Sequence, residues 1–95
     1  MQIHLKFIIV EGAHEAFGRT DFTFELEGVS AGDLVRELMK NYGSPAEHVF
    51  LADGHYEENI QIIVNWRKFV PPERMDDFQL QDGDNILFTH MVEGG

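Results

Sequence analysis

Cysteine is absent from these 95 residues, which excludes disulfides, thiolate metal ligands and a cysteine nucleophile. Basic residues are scarce: seven Lys and Arg stand against seventeen Asp and Glu, for a formal charge of −10. Such a field repels phosphate backbones, so nucleic acid is not an expected partner. It attracts a basic protein surface instead, with faster encounter at low salt, although acidity also serves plain solubility. No apolar run approaches the roughly 20 residues of a membrane span, so no membrane partner is expected. Met1 leads straight into the alternating run Gln2-Ile3-His4-Leu5-Lys6-Phe7-Ile8. That is neither the basic start nor the unbroken apolar stretch of a secretory leader, and a cytoplasmic protein is expected. His4, His14, His48, His55 and His90 show no ligand spacing, so no metal site is expected.

What is present suits one small folded unit. Hydrophobic residues make up 43% of the chain and eight are Phe, which argues for a globular core and against disorder. The length allows one domain, read here as residues 1–91 followed by a tail at 92–95.

Alternation marks the strands. Over residues 2–10, Ile3, Leu5, Phe7 and Ile9 fall on one face and His4, Lys6 and Ile8 on the other, which reads as a strand with one buried side. Glu11 to Thr20, with Gly12 and Gly18, reads as a loop. Asp21 to Glu27 alternates again with Phe22, Phe24 and Leu26 inward, so the first two strands should form a hairpin. Ile60–Val64 and Phe69-Val70 read as a second hairpin turning at Asn65-Trp66-Arg67 and closed by Pro71-Pro72, since proline gives the ladder no donor. Asp82-Gly83-Asp84 reads as a tight turn before a last strand from Asn85 to Met91.

One helix is clearly signalled. Ser30-Ala31-Gly32-Asp33 fits a capping box with Asp in place of Glu. Leu34, Val35, Leu38 and Tyr42 then share one face of a 3.6-residue repeat. Gly43 is placed to end the helix, and Pro45 opposes its continuation. Residues 44–59 are expected to be a connection with at most one turn of helix or a short edge strand. The order β-β-α-β-β implies an α+β fold of the β-grasp type: a mixed sheet of about four to five strands packed on one main helix. Its first and last strands would lie side by side at the centre.

The chain closes on Gly94-Gly95, immediately after the last strand. Glycine accepts almost any backbone conformation, so this end is expected to be a bare, flexible tail able to thread a narrow tunnel. Taken alone, the two glycines also fit a frayed end or an artificial scar. On the last strand Ile86 and Phe88 point one way and Leu87, Thr89 and Met91 the other. The second set, with Ile8, Phe69 and Val70, would form an apolar face left uncovered by the helix, a pattern that marks interaction sites. Packing of residues 44–59 over that face is the alternative. Trp66 at its hairpin tip would either anchor a partner or fold back on the sheet.

Three segments acting together carry a resemblance. Ile62-Ile63-Val64-Asn65, then Phe69-Val70-Pro71, then Leu80-Gln81-Asp82-Gly83-Asp84-Asn85-Ile86-Leu87-Phe88 before terminal Gly95 resemble the ThiS/MoaD family of ubiquitin-like sulfur carriers. The likeness is closest over residues 60–95. It implies a carrier and not an independent catalyst, with Gly95 as the reacting residue and Gly94, Glu93 and Val92 leading to it. It further implies an adenylating partner related to ubiquitin-activating enzymes, which uses ATP, together with a sulfur donor and a downstream sulfur-accepting enzyme. No cofactor bound to the chain itself is implied. Partner contacts would fall on Leu87, Thr89, Met91, Phe69 and Ile8. A ubiquitin-like modifier joined to other proteins through Gly95 uses the same activated tail, and a non-covalent interaction module is the third reading. Glu93 departs from the pattern by placing negative charge close to where ATP phosphates would lie.

Overall fold

The computed structural model describes residues 1–91. Five strands form one mixed sheet in the order β2-β1-β7-β5-β6, built from β1 (Gln2–Ile8), β2 (Asp21–Glu25), β5 (Ile60–Val64), β6 (Lys68–Val70) and β7 (Asn85–His90). β1 and β7 run parallel at the centre, pairing His4 with Asn85 through to Ile8 with Thr89. The neighbouring pairs are antiparallel hairpins, β1 with β2 and β5 with β6, and β7 also pairs antiparallel with β5. This is the β-grasp arrangement that the element order implied.

The main helix, α2 (Ala31–Tyr42), starts as its residues dictate. The Ser30 hydroxyl accepts from the Asp33 amide at 2.9 Å, and the Asp33 carboxylate accepts from the Ser30 and Val29 amides at 3.1 and 3.0 Å. Orphan amides at the helix start are thereby satisfied reciprocally. Arg36 joins Asp33 at 2.9 Å to Asp76 at 2.8 Å, tying the helix to a 3₁₀ turn at Pro72–Asp77. The Val29 amide, the Arg36 guanidinium and the Ser30 amide together hold the Asp33 carboxyl well below the usual carboxylate range.

Inward residues of the sheet meet α2 in one aromatic-rich core. Phe7 stacks on Phe88 at 4.7 Å and on Phe17 at 4.9 Å, and Phe17 meets the edge of Tyr42 at 4.9 Å. Offset and edge contacts of this kind add to plain area burial.

Several expectations change here. β1 stops at Ile8, and Ile9 is turned out, 68% exposed, with φ at +56°. Residues 11–20 contain a short helix, α1 (Ala13–Phe17), set between Gly12 and Gly18, both in the left-handed region. Short length and two glycines hid it, yet it carries Ala13 and Phe17 into the core. Residues 44–59 are more than a connection: α3 (Ser44–Phe50) is followed by a hairpin of β3 (Leu51–Ala52) and β4 (His55–Tyr56) turning at Asp53-Gly54. Pro45 lies in the first turn of α3, where its missing N–H costs nothing, so it starts a helix as well as following one. Phe50 meets Phe7 and Phe88, which places α3 on the helix side of the sheet and removes the idea that 44–59 covers the other face. Val70 is buried in the core rather than on that face.

The opposite face of the sheet sets Lys6, Leu87, Ile63 and Phe69 in one row by register. Leu87 is only 7% exposed although it stands outside the helix-side core, whereas Phe69 is 51% exposed. Leu87 is therefore the floor of this face and not the open contact its alternation suggested.

Ser30→Ala should lower stability by about 1 kcal/mol, a fall in melting temperature of about 4–8 °C. For Asp33 the sign is fixed by its depressed pKa: the unfolded carboxyl takes up a proton at about pH 4 while the folded one resists, so stability falls as pH drops below that value. Asp33→Asn should accordingly destabilise at neutral pH, with a difference that starts to shrink below about pH 4 and disappears only below the depressed pKa of the folded carboxyl. Leu87→Ala should cost about 2–5 kcal/mol, and Phe69→Ala within about 1 kcal/mol, by chemical denaturation. Equal costs would show that the two residues do not differ in cover.

Candidate functional site at the end of the central strand

β7 owes its position to two turns at its far end. The Asp82-Gly83-Asp84 turn closes with the Asp84 amide donating to the Gln81 carbonyl at 3.0 Å, Gly83 having φ +87°. Its outer contacts grip β1: the Gln2 amide donates to Asp82 Oδ1 at 2.7 Å, and the His4 amide donates to the Asp84 carbonyl at 2.9 Å. Asn65, at the end of β5, donates from Nδ2 to Asp84 Oδ1 at 3.0 Å and accepts from the Asn85 amide at 2.9 Å. The strand-ending Val64-Asn65 and the Asp-Gly-Asp turn are thus one hydrogen-bonded unit. Together they fix the register of the last strand.

At the other end β7 runs out of the sheet. His90 pairs with Ile60, and the Met91 amide still donates to the Asn59 carbonyl at 2.7 Å. Met91 is 46% exposed, and the His90 ring lies with Nδ1 3.1 Å from the Met91 carbonyl oxygen. The side chain of His90 is half-buried at the end of the central strand, on the helix side with Ile86 and Phe88 and beside Ile60. Val92, Glu93, Gly94 and Gly95, the residues expected to lead to and carry the reaction, lie outside the described residues. Four residues beyond Met91 span at most about 13–14 Å.

Of the expected contact residues, Ile8 and Thr89 are half-buried and adjacent by register, and Phe69 and Met91 are exposed. Leu87 lies on the same face, two residues before Thr89, and is buried. Trp66 is a residue that sequence alone left undecided. Asn65 and Trp66 both take positive φ, +53° and +60°, forming a left-handed turn that Asn favours and a bulky ring does not. Trp66 is 61% exposed and lies on the outer face, where Lys6 Nζ stands 5.8 Å from its ring centroid. That distance is within cation–π range. Beside it His4 meets Asp21 at 2.6 Å, and a recess of about 200 Å³ is walled by His4, Lys6, Asp21, Trp66 and Leu87. Lys6, Arg67 and Lys68 form no ion pair among the described residues. A chain of −10 charge thus keeps unpaired cations around this hairpin.

Among the described residues no group of three or more His, Asp or Glu is placed to hold a metal ion, and no helix is long and apolar enough to cross a membrane. What the geometry offers is an apolar sheet face and a rigid strand delivering whatever follows Met91.

Comparison with known proteins agrees with this picture. The ThiS family model matches residues 9–95. Ubiquitin-related modifier 1 of Ajellomyces capsulatus is 32% identical over 77 residues, covering 77% of this chain; the match takes in 60% of that relative's length. The crystal structure of SAMP1 from Haloferax volcanii superposes with a TM-score of 0.70 at 20% identity, over the whole of both chains. A chain of the Amycolatopsis orientalis BexX/CysO complex gives 0.65 at 14% identity, covering 98% of this chain and 99% of its own. At those identities the two structures speak for the fold. The family match, spanning nearly the whole sequence, settles the rest: this chain belongs to the ThiS family of small ubiquitin-like carrier and modifier proteins.

Proposed function

We propose that this protein is a sulfur carrier whose Gly95 carboxylate is charged by an ATP-dependent adenylating enzyme. The observation that carries the reading is the exit of the central strand at Met91, followed in sequence by Val92-Glu93-Gly94-Gly95, in a member of the ThiS family. A carboxylate is a poor electrophile. Attack of its oxygen on the α-phosphorus of ATP forms a mixed anhydride with AMP and releases pyrophosphate. A sulfide equivalent from a sulfur donor then attacks the carbonyl carbon, AMP leaves with the bonding pair, and a thiocarboxylate remains. That sulfur passes to an acceptor in the making of a cofactor or an amino acid.

The protein's own share is presentation. Phe69, Met91, Ile8 and Thr89 offer the contact face over the Leu87 floor, which fits a partner through apolar burial. Gly94 has no side chain to obstruct a narrow path to Gly95, and Val92 and Glu93 stand between it and Met91 in sequence. Glu93 beside the reacting end calls for a compensating Arg or Lys in the adenylating enzyme. No bound cofactor is needed, because ATP is held by that partner, and the cytoplasm supplies it.

A second reading is a protein modifier, in which a lysine amine attacks the Gly95 carbonyl of the acyl-adenylate, AMP leaves with the bonding pair, and the amine loses a proton to give an isopeptide bond. The 32% identity to a ubiquitin-related modifier favours keeping it. Intact-mass measurement of the chain from its native host separates the two. The carrier predicts a species with one C-terminal oxygen replaced by sulfur. Gly-Gly remnants on lysines of other proteins, without that species, would replace the carrier with the modifier, and neither product would overturn both.

A further inference from the structure

Two grooves meet at the root of the tail, and the proposed function uses neither. They share Val10, Glu11, Gly12 and His90. One, of about 450 Å³, runs along Phe7 and Ile9 to His14 and Glu15; the other, of about 330 Å³, runs along Val49 and Ile60 to His48 and Glu57. The first is floored mainly by apolar side chains, and the second mixes Val49 and Ile60 with polar groups. Their rims carry the carboxylates of Glu11, Glu15 and Glu57, and no lysine or arginine lines either one. Glu11 and Glu15 form no ion pair among the described residues.

Ile9 stands on the lip. It is β-branched, yet it sits at φ +56° and is 68% exposed. Branched side chains resist the left-handed region, which Gly, Asn or Asp enters more readily. Ile9 takes no part in the core, so packing does not repay that strain. Residues held against their backbone preference gather at functional sites. An exposed isoleucine retained in this way makes sense as an apolar contact for another molecule.

We propose that the grooves on either side of His90 dock a basic, apolar-bearing segment of a protein partner, with Ile9 inserted between its side chains. Charge complementarity selects the occupant. Cationic side chains spaced by aliphatic ones match carboxylate rims over apolar floor residues. The chain's own tail is the wrong partner, because Glu93 and the terminal carboxylate would meet Glu11, Glu15 and Glu57 with like charge. The segment would straddle the point where the tail departs and fix its direction. This rests on the proposed function only for the identity of the partner, since the chemistry of the grooves stands without it.

The test is an NMR titration of the isotopically labelled full chain with three amidated peptides, alternating Leu-Arg, Gly-Arg or Leu-Glu. Leu-Arg should give saturable shifts at amides from Ile9 to Glu15 and at His48, Glu57 and His90. Gly-Arg should bind about tenfold more weakly, and Leu-Glu not at all. The Glu11→Lys, Glu15→Lys double variant should weaken Leu-Arg binding by about tenfold or more. Ile9→Asn should keep or raise the melting temperature while weakening the same binding several-fold. Equal binding of Gly-Arg, shifts centred on Trp66 and Phe69, or an Ile9→Asn variant that melts lower and binds unchanged would each overturn the proposal. None of these readouts involves ATP or an activating enzyme, so failure of the carrier reading would leave them unaltered.

Discussion

The parallel pairing of β1 with β7 is the constraint on which the rest of the molecule depends. Parallel neighbours need a long crossover, and here everything from Ile9 to Asp84 serves as that connection. Because β7 is central, it is paired on both sides, with β1 and with β5. Its far end is pinned by the Asp-Gly-Asp turn and Asn65, its near end by Ile60 and Asn59. Little freedom is left to the strand up to Met91.

Alternation on that one strand divides two tasks. Ile86 and Phe88 enter the core against α2, α1 and α3, whose Phe17 and Phe50 close around Phe7. Leu87 and Thr89 turn to the side that no helix covers, alongside Ile8 and near Phe69. The cations Lys6, Arg67 and Lys68 cluster near Trp66 at the hairpin end of the sheet, while Glu11, Glu15 and Glu57 surround the tail root.

Much of this was legible in the residues because local and global signals agree. The Ser30–Asp33 box, the 3.6-residue stripe and Gly43 all named α2, period-two alternation named β1, β2 and β7, and the apolar run before the Asn65-Trp66-Arg67 turn named β5. The end of β1 was misread because Ile9 continues the alternation and only its backbone conformation breaks it. The helices α1 and α3 are five and seven residues long, too short for periodicity to stand out. Pro45 serves equally as a stop and as a start. Leu87 was read as open because alternation reports which face a side chain takes, not what lies over it. The resemblance carried by residues 60–95 is borne out by the family match, and the hydrogen bonds of Asn65 to Asp84 and Asn85 join two of its segments.

The central claim is that a rigidly held strand hands the Gly95 carboxylate to another protein's nucleotide chemistry. Pyrophosphate–ATP exchange by the host's adenylating enzyme, run with the full chain and with a chain lacking Gly95, tests it most directly. The account predicts exchange with the full chain and none with the shortened one, at unchanged melting temperature. Undiminished exchange without Gly95 would contradict it.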